Sequence, residues 1–533
     1  MRWLLPSIAD WVFIAILGVL VFTNLSVRLL GDAGIGWHIR TGQWILSTQA
    51  VPHFDPFSSS LSGRPWFAWE WLYDVLVGWL DWGAGLNGVV FFTAAVIAAT
   101  FSGVFRLILR RKTSLPIALA LTLLAASAST IHFLARPHVV SWFFSLVWVW
   151  VLDGFEHAGS ESPGEFRRHR RLLLLLPLLM LIWVNVHGGF LVGFVLLGIY
   201  WLNAVWRWFR LKEDSFDDFL EKVRAGKRAR DLAWIAFLSA LATFVNPYGW
   251  KLHVHIFRYL SNRFLMDHID EFQSPNFHGV AEKCFAVLLL LTLVALAADR
   301  RGVAKRRLSE MLLLLFAAYS GLYAARNIPV SSLLLIWVIG PKLSGAIVTA
   351  VGSFAKKGPM ARSQGVESEP FLRRMQILDS GLHGHLWPVA AAAVICWVAF
   401  HSTALGGKSL MNAHFDRKRF PVAAVDYLAK RRAEGPLFAP DYWGGYLIYR
   451  LYPGTKVVID DRHDFYGEPF LRSYLKTIHV EPGWEESLDQ HPAAYLVVPK
   501  TSALASILLE TPRWQPIYSD DVTTVFSGSN NHP

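Results

Sequence analysis

Long apolar blocks recur along this chain from its N-terminus to about residue 402. A helix crosses the hydrocarbon core of a bilayer with about 20 apolar residues. Soluble domains do not repeat such blocks, and about a quarter of their residues are charged. Here 53% of 533 residues are hydrophobic and 17% are charged. The mean hydropathy is +0.35. The pattern predicts an α-helical multi-pass membrane protein. The 24 tryptophans agree, because tryptophan favours the membrane–water boundary.

Candidate spans are 11–30, 86–109, 114–131, 139–155, 172–187, 190–208, 232–246, 284–299, 308–325, 329–346 and 385–402, about 11 in all. The first lacks a small-residue cleavage site and reads as an uncleaved helix. Basic clusters follow every even-numbered span. They include Arg110–Lys112, Arg167–Arg171, Lys222–Arg230, Arg300–Arg307 and Lys356–Arg374. The net charge of +11 is therefore a topology signal rather than a nucleic-acid footprint. It predicts a cytoplasmic N-terminus and an outer face that carries residues 31–85 and everything after 402. The long cytoplasmic loop 347–384 has the composition of a flexible linker.

The segment 64–83 decides the parity. Its apolar run, 71–80, is half the length of a span. Leu72, Val75, Leu76 and Trp79 share one helical face, with Glu70, Asp74 and Asp81 on the other. It reads as an interfacial helix with its acids on the wet side. The first outer loop, GDAGIGWHIRTGQWILSTQAVPHFDPFSSS onward, is thus long and partly helical. Other outer-facing features are HFLARPH at 132–138, NVHGGF at 185–190, the partly helical loop 246–279, and Arg326.

Cys284 and Cys396 lie in or beside apolar segments and offer neither a disulfide framework nor a cysteine metal site. No Gly-rich phosphate loop with a Lys-Ser/Thr pair occurs. After 402 the composition shifts. PVAAVDYLAKRRAEG reads as a helix; GGYLIYRLYPG, KVVID, AAYLVVPK and TTVFSG read as strands. The domains are therefore a transmembrane part, 1–402, and an extracytoplasmic α/β domain, 403–533. VVIDDRHD puts Asp460, Asp461 and Asp464 at a strand's C-terminal end, where α/β sheets tend to bind ligands.

This layout resembles the GT-C glycosyltransferases, membrane enzymes that use polyprenyl-phosphate-linked sugars. The shared features are Asp32 just after the first span, interfacial helices in the first loop, Arg110–Lys112 after the second span, and an outer C-terminal domain. The first loop is more closely similar to a group of bacterial membrane proteins of unproven activity. The matching residues are Asp32, Trp37, His38, Gly42, Trp44, Ile45, Leu46, Val51, Pro52, Asp55, Pro56, Phe57, Ser58, Pro65, Trp66, Glu70, Trp71 and Leu72. ARPH, NVHGGF, NPYG and WGGYL also match. One departure stands out: Gly34 occupies the second acid of the usual Asp-x-Asp opening.

The resemblance implies inverting transfer of a hexosyl or pentosyl unit from a polyprenyl-phosphate donor to an envelope acceptor, at the outer face of a bacterial inner membrane. Asp32 would be the base. His38, Arg40, Glu70, Arg136, His187, Glu271 and Arg326 would bind substrate. Membrane lipid is a partner and nucleic acid is not. A divalent cation, Mg or Mn, is the cofactor the resemblance allows, and its ligands are unknown.

Plainer roles compete. Asp32 could cap the helix near Gly34. Asp55 before Pro56 could form a turn. Glu70 could be a wet helix face. Arg136 and Arg326 could anchor ordinary lipid, His38, His253 and His255 could be structural, and Asp460–Asp464 could make salt bridges. The alternative function is a non-catalytic membrane protein that binds glycan or lipid in envelope assembly or transport. A transporter would place ionisable groups mid-membrane. The enzyme reading instead demands that Asp32, Arg136, His187 and Arg326 converge on one outward cavity.

Overall fold

Helices stand at all the predicted spans in the computed structural model. It describes every residue except 1–3, 159–162, 300–306, 358–374, 376, 380, 383, 402–403, 406–407 and 529–533. Most of the linker expected within 347–384 lies outside the described residues. Among the described residues, six helices are long and apolar enough to cross a membrane. They are Trp71–Arg110, Leu115–His132, His138–His157, Gly188–Arg210, Val280–Ala298 and Ala325–Ile347. Ile8–Phe22, Leu308–Tyr323 and Leu386–His401 are shorter apolar helices. Leu175–Trp183 and Phe216–Ala242 occupy the other two expected positions. The expected count of 11 crossings thus depends on five helices that are short or partly polar.

These helices are apolar inside and out. Phe101, Phe105, Phe285, Leu288, Leu335 and Ile339 are fully buried. Leu290, Leu293 and Leu315, by contrast, are more than 60% exposed on the opposite faces. A helix that is hydrophobic all round fits a membrane rather than water. The chain is a multi-pass helical membrane protein with a C-terminal, sheet-containing region.

The first outer loop holds the helix Gly34–Thr48, an irregular stretch, and the helix that begins at Trp71. The two helices touch backbone to backbone. A Cβ on Gly42 would lie 1.8 Å from the Asp74 carbonyl oxygen, so only glycine permits this approach. The second helix runs on to Arg110, broken at Gly85 with φ 58° and ψ −155°, a conformation that suits glycine. Its first part, before Gly85, corresponds to the expected interfacial helix.

The orientation of that helix corrects the sequence reading. The acidic face turns inward, while Trp79 and Trp82 face out. The acids tolerate burial because each has a polar neighbour. Asp74 Oδ1 lies 2.6 Å from His38 Nδ1. Asp81 accepts from Tyr449 Oη at 3.0 Å and from Gln43 Nε2 at 2.8 Å.

The C-terminal sheet has strands β1 (Leu437–Phe438), β2 (Tyr495–Pro499), β3 (Trp514–Ser519) and β4 (Thr523–Gly528). Their spatial order is β1-β2-β4-β3, with the first pair parallel and the others antiparallel. Residue Val457 bridges both Leu437 and Ser58 in parallel, so the first outer loop joins the edge of this sheet. Ser59 N donates to the Val457 carbonyl at 2.8 Å. The stretch read as the strand KVVID is therefore a bridging segment at that edge.

GGYLIYRLYPG is a second correction: its residues 444–451 fall in the helix Asp441–Leu451 rather than in a strand, and 452–454 follow as a turn. The reason lies in its glycines. A Cβ on Gly445 would lie 2.2 Å from the Ala33 carbonyl oxygen, and one on Gly36 would lie 2.1 Å from that of Gly445. The helix presses its small-residue face against Gly34–Thr48, which a flat strand with bulky alternate side chains would not do. The helix Ala503–Glu510 and strand β3 carried no signal in the sequence reading.

Candidate active site

A cavity of about 1160 Å³ opens between the first loop, the helix ends nearest to it and the C-terminal region. Asp32, Glu70, Arg136, His187, Glu271 and Arg326 all line it. Asp32, Arg136, His187 and Arg326, the four expected to converge, thus share one cavity. Leu191, Leu260 and Tyr323 also line it and are exposed, so part of the lining is apolar and open to the surroundings.

Asp32 plays the plain role and faces the cavity as well. Its Oδ1 accepts the Gly34 N–H at 2.8 Å, an Asx-type turn. The same oxygen lies 3.2 Å from Arg136 Nη1. Oδ2 makes no hydrogen bond among the described residues. Arg136 Nη1 also donates to Asp461 Oδ2 at 2.9 Å. Trp37 Nε1 donates to Asp461 Oδ1 at 2.9 Å. Burial would weaken the hold of Arg136 on its proton, but Asp32 and Asp461 outweigh it and keep the guanidinium charged. Burial pushes Asp461 up to about 6 even though Arg136 pulls it down.

Arg326 pairs with Glu271, Nη1 to Oε1 at 3.1 Å, and lies over the Phe272 ring. Burial alone would raise Glu271, but Arg326 and then Arg136 hold it at about 2. This acid stays ionised at any physiological pH.

Glu70 is the opposite case. Burial raises it to about 8, against the pull of Arg136 and with Asp464 adding to the rise. Its Oε2 lies 3.7 Å from His38 Nε2, and its Oε1 lies 3.8 Å from His187 Nε2. Both histidines are held neutral, first by burial and then by Arg136 for His38 and Arg326 for His187. The Gly189 N–H donates to His187 Nδ1 at 3.0 Å, so the ring proton sits on Nε2, facing Glu70. His38 stands just behind the cavity wall, bound to Asp74, and its Nε2 has no hydrogen-bond partner among the described residues.

Glu70 is therefore expected to be a neutral acid at pH 7. Infrared titration should show a protonated-carboxyl band that disappears near pH 8 and is missing from Glu70→Gln. The folded value is raised above the ordinary 4.5. Its stabilising contribution is therefore full below about pH 4.5 and is lost as pH rises through about 8. The melting temperature of the wild type should fall relative to Glu70→Gln across that window. A band already absent at pH 6 would contradict this assignment.

Arg40 is not brought to the cavity. Its Nε donates to the Tyr449 carbonyl at 2.8 Å and Nη1 to Gln43 Oε1 at 2.9 Å, which ties the first loop to the C-terminal helix. Asp55 forms the expected turn, accepting from the Phe57 and Ser58 amides at 3.2 and 2.8 Å. His253 is structural, with Nε2 2.9 Å from Thr243 Oγ1.

The sequence reading singled out Asp461 and Asp464 on one wall of the cavity but not their neighbours there. Asp441, Tyr442, Asp461, His463 and Asp464 line it from the C-terminal region. His463 Nε2 lies 2.6 Å from Asp441 Oδ2, and Tyr474 Oη donates to Asp441 Oδ1 at 2.9 Å. His255 Nε2 meets Asp464 Oδ2 at 2.9 Å. Asp460 takes the salt-bridging role instead, with Arg462 Nη2 at 2.7 Å from its Oδ2. The usable signal was the acid run at the end of KVVID. Acceptors, aromatic faces and imidazoles of this kind suit a polyhydroxyl ligand.

No family model matches the chain, and no curated protein matches it. Solved structures do. An oligosaccharyltransferase of Archaeoglobus fulgidus tethered to an acceptor peptide aligns over 92% of this chain and 69% of its own, with a TM-score of 0.54 and 13% identity. AglB of the same organism, with an inhibitory peptide and a dolichol-phosphate, aligns over 99% of this chain and 74% of its own, with a TM-score of 0.55 and 11% identity. ArnT from Cupriavidus metallidurans in the apo state aligns over 97% of both chains, with a TM-score of 0.50 and 14% identity. At such identities the likeness concerns the fold. This chain shares the fold of these three membrane-protein structures.

Proposed function

We propose that this chain transfers a sugar from a polyprenyl-phosphate donor to an envelope acceptor at the outer face of a bacterial inner membrane. The reading keeps 11 crossings, a cytoplasmic N-terminus and an extracytoplasmic domain over 403–533. The observation that carries it is the convergence of Asp32, Glu70, Arg136, His187, Glu271 and Arg326 on one cavity whose lining is partly apolar and exposed. The apolar lining accepts the lipid, and the C-terminal wall accepts the incoming hydroxyl compound.

The acceptor oxygen forms a bond to the anomeric carbon as that carbon's bond to the phosphate oxygen breaks. The electron pair leaves on the phosphate, and the hydroxyl proton passes to Asp32 Oδ2. A single displacement inverts the anomeric centre. Arg136 and Arg326 stabilise the growing phosphate charge through charge-assisted contacts. Neutral Glu70 and His187 surround the phosphate with donors rather than with further negative charge.

The test incubates purified protein with a panel of polyprenyl-phosphate hexoses and pentoses and envelope extracts. Release of polyprenyl phosphate coupled to sugar on an acceptor is the expected result. Tight binding of the donors without turnover of any of them would instead favour the non-catalytic binding reading.

A further inference from the structure

The Asp-x-Asp opening of the first loop lacks its second acid, and the structure reveals what fills that place. A Cβ built on Gly34 would lie 1.4 Å from Arg136 Nη1, 2.7 Å from its Cζ and 2.5 Å from Asp461 Oδ2. A side chain at position 34 would have to displace the Arg136 guanidinium and the carboxylate of Asp461, which comes from the other end of the chain. The second acid has been replaced in space by Asp461.

A divalent cation held by acids asks for about six oxygen ligands around one point. Between Asp32 and Asp461 that point is Nη1 of Arg136, 3.2 Å from one carboxylate and 2.9 Å from the other. The remaining oxygens are partly committed, because Trp37 Nε1 donates to Asp461 Oδ1. Among the described residues, no three His, Cys, Asp or Glu side chains are arranged to hold a metal. The residues present do not fit a bound cation at this motif.

We infer that the Arg136 guanidinium takes the place of a divalent cation between Asp32 and Asp461, so that this site binds an isoprenoid phosphate without metal. The inference rests on the proposed lipid-phosphate ligand. Both acids meet the same nitrogen, while Nη2 and Nε make no hydrogen bond among the described residues. A planar fork with an unused edge suits a phosphate, which it can grip with two parallel hydrogen bonds. Gly34 thus leaves room for the arginine where it stands, and the two carboxylates hold the arginine in position.

The test uses the full-length protein in detergent, with Mn²⁺ and farnesyl phosphate as probes. Electron paramagnetic resonance should detect no stoichiometric Mn²⁺ site up to about 1 mM, the weak end of carboxylate sites. Farnesyl phosphate should bind equally well in excess chelator. Its affinity should fall at least about tenfold in Arg136→Ala and recover in part in Arg136→Lys, which keeps the charge without the fork. One Mn²⁺ per chain, lost in Asp461→Asn, would overturn the inference. So would farnesyl phosphate binding that needs added Mn²⁺. The wild-type measurements decide the matter even if a variant fails to fold. Neither readout requires turnover, so failed transfer would count against the proposed reaction and leave this result standing.

Discussion

Asp32→Asn is expected to lower sugar transfer by about two to four orders of magnitude, the usual worth of a positioned proton acceptor. The substitution is nearly isosteric. The asparagine carbonyl can still accept the Gly34 N–H that Oδ1 accepts now at 2.8 Å. Arg136 would keep its second partner, Asp461, at 2.9 Å. The thermal melt and donor binding should therefore change little while turnover is lost. The measurement is transfer under single-turnover conditions, beside binding of a non-transferable phosphate lipid.

Full activity in Asp32→Asn would remove Asp32 from its role. Asp461 would then be the acid to test, because burial places it at about 6, closer to working pH. The two assignments differ in pH profile. A base near 6 should give an acidic limb in that range, and its loss in Asp461→Asn would identify it. Arg136 touches both acids, so Arg136→Ala would not separate them.

The helical part and the turns between its helices were legible because hydropathy and charge are local signals. Asp32, Arg136, His187 and Arg326 stand at helix ends or turns, where an apolar run stops and a polar residue follows. Glu70 was found too, but its environment was misjudged. Periodicity placed it on a helix face with Asp74 and could not say whether that face met water or His38. The contribution of the C-terminal region was not legible in the same way. Asp461 reaches Trp37 across 424 residues of sequence. No local pattern encodes such a contact, and nothing local distinguishes Asp460, tied to Arg462, from Asp461, facing the cavity. The helix Asp441–Leu451 was misread because its aromatic and β-branched residues suit a strand, while the glycines that press it against Gly34–Thr48 act through tertiary packing.

Arg462→Met is expected to be the most destabilising single change at this junction, at about 3–5 kcal/mol, because it leaves buried carboxylates without their cation. The Arg462 side chain is 1% exposed, and Asp55 and Asp460 are fully buried. Its Nη1 lies 2.8 Å from Asp55 Oδ1, and its Nε and Nη2 each lie 2.7 Å from Asp460 oxygens. The guanidinium also lies 4.6 Å from the Trp66 ring and 5.2 Å from that of Phe57. It thus binds both a first-loop acid and a C-terminal acid, and it sits next to Asp461 in the chain. Without it, Asp55 and Asp460 must take up protons or admit water, and either disturbs the edge where Ser59 pairs with Val457. Tryptophan fluorescence of the melt should show a lower midpoint, and limited proteolysis should release the C-terminal region first. The triple variant Asp55→Asn, Asp460→Asn, Arg462→Met removes the stranded charges and should recover much of the midpoint. If the single and triple variants melt alike, charge burial is not what couples the two regions. The edge-to-face rings of Trp66 and Phe57 would then be the contact to remove next.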